Sequence, residues 1–212
     1  MNTAFWARMC SLIIGYACGN FLTAELVTRK KTGQPCSELG TSGNPGMTNV
    51  LRHIGLKEGL IVLLGDISKT ILAMLISRVL FGNILGRLTM FYSGIGTILG
   101  HDFPVWQKFR GGKGVACGCV LLILYSSWGF LSCLFALAAI LLSDYLCIGG
   151  AILPVGFILP AFVFYGTEVG FLTLFLSLIF FLRHWPTIRR IPSGEAEKVD
   201  VIGMLRNAVA NR

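Results

Sequence analysis

Charge is scarce in this chain. Asp, Glu, Lys and Arg make up 13% of its 212 residues, where a soluble domain carries about 25%, and the mean hydropathy is +0.73. With 54% apolar residues, most side chains must sit in something other than water. A soluble core of this length cannot absorb them, because a small domain keeps a large surface. A bilayer can. The cysteines form no CxxC pair and no Cys/His cluster, which argues against a metal centre or a disulfide framework. Cys10, Cys18, Cys117, Cys119, Cys133 and Cys147 lie in or beside apolar runs, where free Cys behaves as a small hydrophobe. Repeats, low-complexity tracts and a soluble domain are also missing. The N-terminal MNTAFWARMC is too weakly charged for a cleaved signal peptide. The expectation is a single membrane-embedded domain over residues 1–212, with a polar tail from about 191.

The charges that remain are mostly basic, 18 Lys and Arg against 10 Asp and Glu, for a net +8. Such a balance suits nucleic acid, anionic lipid or an anionic substrate, and the membrane composition points away from nucleic acid. A spanning helix needs about 20 largely apolar residues. Seven stretches qualify, near 4–27, 58–81, 84–100, 114–129, 130–147, 149–166 and 168–183, so the fold expected is all-α and polytopic with about seven transmembrane helices. Only Ser126, Trp128 and Gly129 mark a turn between the fourth and fifth. Gly94, Gly96 and Gly100 punctuate the third, which suits close helix packing.

Lys and Arg set the orientation. Arg29, Lys30, Lys31, Arg52 and Lys57 follow the first span, Lys108, Arg110 and Lys113 the third, and Arg183, Arg189 and Arg190 the seventh. An odd number of spans separates these groups, so they return to one face, which the positive-inside rule makes cytoplasmic. Arg78 and Arg87 are left on the other side, and Glu25 reads as interfacial.

Two loops on the basic face are rich in residues that bind anions. In the run from Gly40 to Arg52, Gly43 and Gly46 let backbone N–H groups turn inward as a nest. Ser42, Asn44 and Asn49 add neutral donors, and Arg52 a planar fork suited to phosphate. In Phe109-Arg110-Gly111-Gly112-Lys113-Gly114 a lysine sits among three glycines ahead of an apolar helix, the arrangement of a helix N-terminal anion site. It is not a P-loop. That pattern needs a Gly with four residues between it and the Gly-Lys pair, and Ser or Thr after it; Gln107 and Gly114 stand there. His101 precedes Asp102 at a helix end, where it could act as a cap. Asp66 and Lys69 lie one turn apart inside the second span. Intramembrane charges usually face the protein interior in pairs, so these read as an internal ion pair supporting the site.

The run SGNPGMTNVLR, the Asp66/Lys69 segment, the block GHDFPVWQKFRGGKGVA and the terminal His184, Arg190, Gly194 and Glu195 resemble the motif regions of the bacterial acyl-phosphate:glycerol-3-phosphate acyltransferases. Order, spacing and same-side placement match over essentially the whole chain. The resemblance implies a seven-helix enzyme that moves a fatty acyl group from acyl-phosphate to the 1-hydroxyl of sn-glycerol 3-phosphate, giving lysophosphatidate and phosphate. It implies catalytic roles for Ser42, Arg52, Lys113 and His184, with Lys113 stabilising the departing phosphate. Gly43, Asn44, Gly46, Asn49, His101, Lys108, Gly111, Gly112 and Gly114 complete the candidate phosphate-binding set. No metal or cofactor is implied, because acyl-phosphate is already activated. The implied setting is the cell (inner or plasma) membrane, with the active site facing the cytoplasm.

The chain departs from the family pattern in two places. Where the third motif resembles H-R-x-N-I-x-R-L-x-x-G-x-E, it has Trp185 for the Arg, Thr187 for the Asn, and Glu195 one residue early. Where the family resembles R-Y-V-S-L, it reads Asp144-Tyr145-Leu146-Cys147-Ile148. These changes remove hydrogen-bonding groups that could orient glycerol phosphate, so a paralogue with an altered acceptor or weak activity is one alternative. A transporter or binding protein for a phosphorylated metabolite is another, but it would line a path across the bilayer with charge, whereas only Asp66 and Lys69 lie deep here. An assembly partner that has lost catalysis would tolerate loss of Lys113 or Arg52. The H-x-x-x-x-D motif of soluble-type glycerolipid acyltransferases is absent; His53 and Glu58 have its spacing but the wrong acid.

Overall fold

The computed structural model describes residues 2–40, 43–196 and 198, and among these every regular element is helical. The chain divides into two units, one running to Tyr125 and the other beginning at Ser126. In the first, α1 (Thr3–Gly19) and α2 (Thr23–Thr32) occupy the first expected span. The short α3 (Met47–His53) leads into the long α4 (Leu56–Leu85), followed by α5 (Leu88–Asp102) and α6 (Val115–Tyr125). The second unit holds α7 (Ser127–Ser143), α8 (Leu146–Ile152), α9 (Ile158–Tyr165) and α10 (Thr167–Ile188). The stretches Thr3–Thr32, Leu56–Leu85, Leu146–Tyr165 and Thr167–Ile188 are long and apolar enough to cross a membrane; Val115–Tyr125 and Ser127–Ser143 are shorter apolar helices.

Three boundaries differ from expectation, each for a local reason. The first span is broken at Asn20, whose side-chain Nδ2 donates to the Tyr16 carbonyl at 2.7 Å and closes α1. The fourth span ends at Tyr125, not near 129, because Ser126 Oγ accepts the Gly129 N–H at 3.0 Å and starts α7. The sixth is interrupted between α8 and α9 at Pro154, which has no N–H to continue the ladder.

Polarity is inverted relative to a soluble protein. Val79 is 80% exposed and Leu142 89%, whereas Glu25, Asp66, Lys69, His101 and Asp102 are buried. Apolar side chains facing out and charged ones facing in is what lipid surroundings select. Glu25 is buried within the protein, paired with the exposed Arg29. In the first unit α1 and α5 meet backbone to backbone. A Cβ on Gly15 or Gly19 would strike the Ser93 and Thr97 carbonyls, and one on Gly96 or Gly100 the Leu12 and Tyr16 carbonyls. Two small-xxx-small faces therefore interlock. That contact carries the broken end of α1 to the end of α5.

Candidate active site

The first glycine-rich loop is anchored from below by buried polar groups. Glu25 accepts the Cys36 N–H at 2.8 Å with one carboxylate oxygen and Arg29 Nε at 2.5 Å with the other. Asn49, on α3, donates from Nδ2 to the Leu39 carbonyl at 2.9 Å, and its own carbonyl lies 2.9 Å from His53 Nδ1. Asn49 thus ties the loop to α3 through its side-chain donor. Gly43 takes a positive φ of 55° and approaches the Ser37 carbonyl. The Gly46 N–H turns back to the Asn44 carbonyl at 2.9 Å and leads into α3. Arg52 is exposed in the last turn of α3. Lys31 pairs with Glu58 at 2.6 Å, fastening the end of α2 to the start of α4. Ser42 lies outside the described residues. Burial pushes the Cys36 thiol up, and the nearby Glu25 carboxylate adds to the rise against hydrogen bonds from Thr28 and Asn49.

The second loop is built around the charge pair. Lys69 Nζ reaches Asp66 Oδ1 at 2.7 Å, the Phe21 carbonyl at 2.9 Å and His101 Nδ1 at 2.8 Å. Asp66 Oδ1 is also 3.4 Å from His101 Nδ1. His101 is therefore no helix cap: it lies within the last turn of α5 and joins the pair as a third buried member. The carbonyls of His101 and Asp102 accept the N–H groups of Gly112 (2.9 Å) and Gly111 (3.0 Å). A Cβ at Gly112 would overlap the His101 ring, and one at Gly111 the His101 carbonyl. Gly114, at φ +62°, lies against Ile98 and the Asp102 carboxylate. Close approach explains these glycines, and it leaves Lys113 half-buried between two fixed neighbours. Lys108 and Phe109 are exposed on the preceding turn in left-handed conformation, at φ 53° and 61°.

Asp66, His101 and Cys117 bring their ligand atoms within 4.8 Å of one another, as a metal site would. Lys69 Nζ lies against two of the three, Asp66 and His101.

The residues missed in the sequence are those at the helix break. Asn20 accepts the Val105 N–H at 2.9 Å through Oδ1, and its carbonyl accepts Trp106 Nε1 at 2.7 Å. Tyr16 OH donates to the Phe103 carbonyl at 2.7 Å. A lone Asn in an otherwise apolar run was the available signal, since a polar side chain at membrane depth needs a partner.

In the second unit His184 is buried, with Nδ1 donating to the Phe180 carbonyl at 2.8 Å. Gly150 of α8 packs on the opposite edge of the ring, where a Cβ would strike Nε2. Trp185, in place of the family Arg, is exposed and packs on Phe181 at 5.4 Å between ring centroids. Asp144 ends α7 in left-handed conformation, φ 62°, a position that Asp tolerates better than most residues. Cys147 is buried and Thr187 half-buried.

The family model described as glycerol-3-phosphate acyltransferase matches residues 9–194. Glycerol-3-phosphate acyltransferase 1 of Lactobacillus johnsonii is 35% identical over 91% of this chain and 92% of its own. A glycerol-3-phosphate acyltransferase of Coxiella burnetii is 32% identical over 91% of this chain and 98% of its own. Among solved structures, the integral membrane glycerol 3-phosphate acyltransferase PlsY (YgiH) in its glycerol 3-phosphate form aligns with a TM-score of 0.77 at 25% identity, covering 96% of this chain and 99% of that one. Its lysophosphatidic acid form aligns at 0.76 and 26% identity, over 93% and 98%. With an inside-out helical fold and a lysine held in a glycine loop, this chain belongs to the glycerol-3-phosphate acyltransferase family.

Proposed function

We propose that this membrane protein transfers a fatty acyl group from acyl-phosphate to the 1-hydroxyl of sn-glycerol 3-phosphate in phospholipid synthesis, at a site facing the cytoplasm of the cell membrane. The observation that carries the reading is Lys113, half-buried between Gly112 and Gly114, both packed on the end of α5. In the transfer, the glycerol hydroxyl oxygen bonds to the acyl carbon, the acyl–phosphate C–O bond breaks, and the hydroxyl proton ends on the departing phosphate. Charge grows on the leaving oxygen, and a pre-placed ammonium stabilises it. Holding hydroxyl and acyl carbon together supplies much of the remaining rate. Arg52 suits a phosphate of either substrate. Ser42 and His184 keep the catalytic roles that the family resemblance implies, and Gly43, Asn44, Gly46, Asn49 and Lys108 remain candidates for shaping the phosphate cradle. Relatives named for glycerol 3-phosphate, and a solved structure of one in its glycerol 3-phosphate form, support the acceptor.

The test supplies purified protein with acyl-phosphate and radiolabelled glycerol 3-phosphate. Lysophosphatidate is the product expected. Lys113→Ala should lower kcat by about 100-fold or more, the scale for losing one preorganised charge donor. Arg52→Ala should raise KM for a phosphate substrate roughly tenfold. No lysophosphatidate from the wild type would sink the acyl-transfer reading, and unchanged kinetics in both variants would sink the residue assignment.

A further inference from the structure

We propose that Lys69 is a positioning residue for Lys113, acting through His101 on the glycine loop at the head of α6. The inference rests on the acyl-transfer reading and adds a group that touches no substrate.

An ammonium has three N–H donors; Lys69 is hydrogen-bonded to two groups and ion-paired with a third, from three parts of the chain. Asp66 comes from its own helix, the Phe21 carbonyl from the break between α1 and α2, and His101 from the end of α5. The break makes this possible, because in an unbroken helix the Phe21 carbonyl would accept the N–H four residues on. Donation from Lys69 into Nδ1 puts the ring proton of His101 on Nε2. That is the edge against which Gly112 packs without room for a methyl group. The carbonyls of His101 and Asp102 then hold the N–H groups of Gly112 and Gly111. Moving the His101 ring moves the residue next to Lys113. Asn20, at the same break, grips the 105–106 turn through the Val105 N–H and the Trp106 indole. Both ends of the loop are therefore referenced to one break in the first span.

The test uses the full-length protein in detergent, as Asp66→Asn/Lys69→Met, which removes both charges together, and as Asn20→Ala. Each is made alone and with Lys113→Ala. The charge-pair variant should lose about tenfold or more in kcat, yet lose less than about twofold further when Lys113 is already Ala, because a residue acting through Lys113 then has nothing left to place. Losses that multiply in the Lys113→Ala background, or an unchanged kcat, overturn the proposal. A second readout needs no turnover: acetic anhydride labelling of Lys113, followed by peptide mass spectrometry. Its rate should change at least about threefold in the variant, with exposed Lys30 unchanged, since amine reactivity follows local environment. Equal Lys113 labelling overturns the positioning role, whereas a wild type that makes no product overturns only the acyl-transfer reading. Should the charge-pair variant fail to fold, Lys69→Arg decides by the same two comparisons, because a guanidinium keeps the charge but not the compact donor that holds His101, while Asn20→Ala reports on the 105–106 turn.

Discussion

Glu25 and Cys36 show how a buried acid shapes a loop at the scale of single residues. The Glu25 carboxylate is satisfied by a backbone N–H from the loop and by Arg29 one turn along α2, so removing it would leave a buried donor without its acceptor. Such losses cost about 1–3 kcal/mol. The Cys36 thiol, buried beside that carboxylate, has its pKa raised above the ordinary 9.0. The folded chain therefore keeps the thiol proton at pH values where the unfolded chain has lost it, and linkage makes stability fall as pH climbs above that ordinary value. Maleimide labelling of Cys36 should be slow at neutral pH in the folded protein and fast after denaturation. Cys36→Ala should flatten the decline in thermal midpoint above about pH 9, the ordinary thiol range. A decline equally steep in Cys36→Ala would remove this thiol from the explanation.

At the scale of elements, the interlocked faces of α1 and α5 set where the site is built. Gly15 and Gly19 on one helix and Gly96 and Gly100 on the other let the backbones touch. The glycine spacing of α5 was legible in the sequence as a packing face, but its partner was not, because a small-xxx-small pattern does not name the helix it meets. Gly96→Leu should force the pair apart at a cost of about 1–3 kcal/mol, read as a lower thermal midpoint in detergent. It should also lower activity, since the Asn20 and Tyr16 contacts to the 103–106 turn depend on that approach. A variant with normal activity and midpoint would show that the close contact is dispensable.

At the scale of the whole molecule, the basic loops were expected on one face from the parity of the spans. In a background without the seven native cysteines, Cys introduced at Gln34 and at Gln107 should be blocked by a membrane-impermeant maleimide only from the cytoplasmic side. Labelling of the two from opposite sides would break the topology. At α4, 30 residues rise about 45 Å, longer than the roughly 30 Å hydrocarbon layer. Asp66 and Lys69 therefore need not lie at the bilayer centre, although both sit well inside the helix. Helix identity was readable from composition and the long apolar runs, and the family from the resemblance of the quoted motifs. The capture of His101 was not, since it depends on Lys69, 32 residues away, and neither were the Asn20 contacts to the 105–106 turn, 85 and 86 residues on.

The sequence by itself determined that the chain lives in a bilayer, since too few charges and too many apolar residues leave no aqueous alternative. It also determined which loops carry the cations and glycines. Tertiary structure alone decided that Lys69 joins Phe21 and His101, 48 and 32 residues distant along the chain. The reason is physical. A buried ammonium needs polar partners; its own helix supplies the Asp66 carboxylate, and only the packed helices add a bared carbonyl and an imidazole.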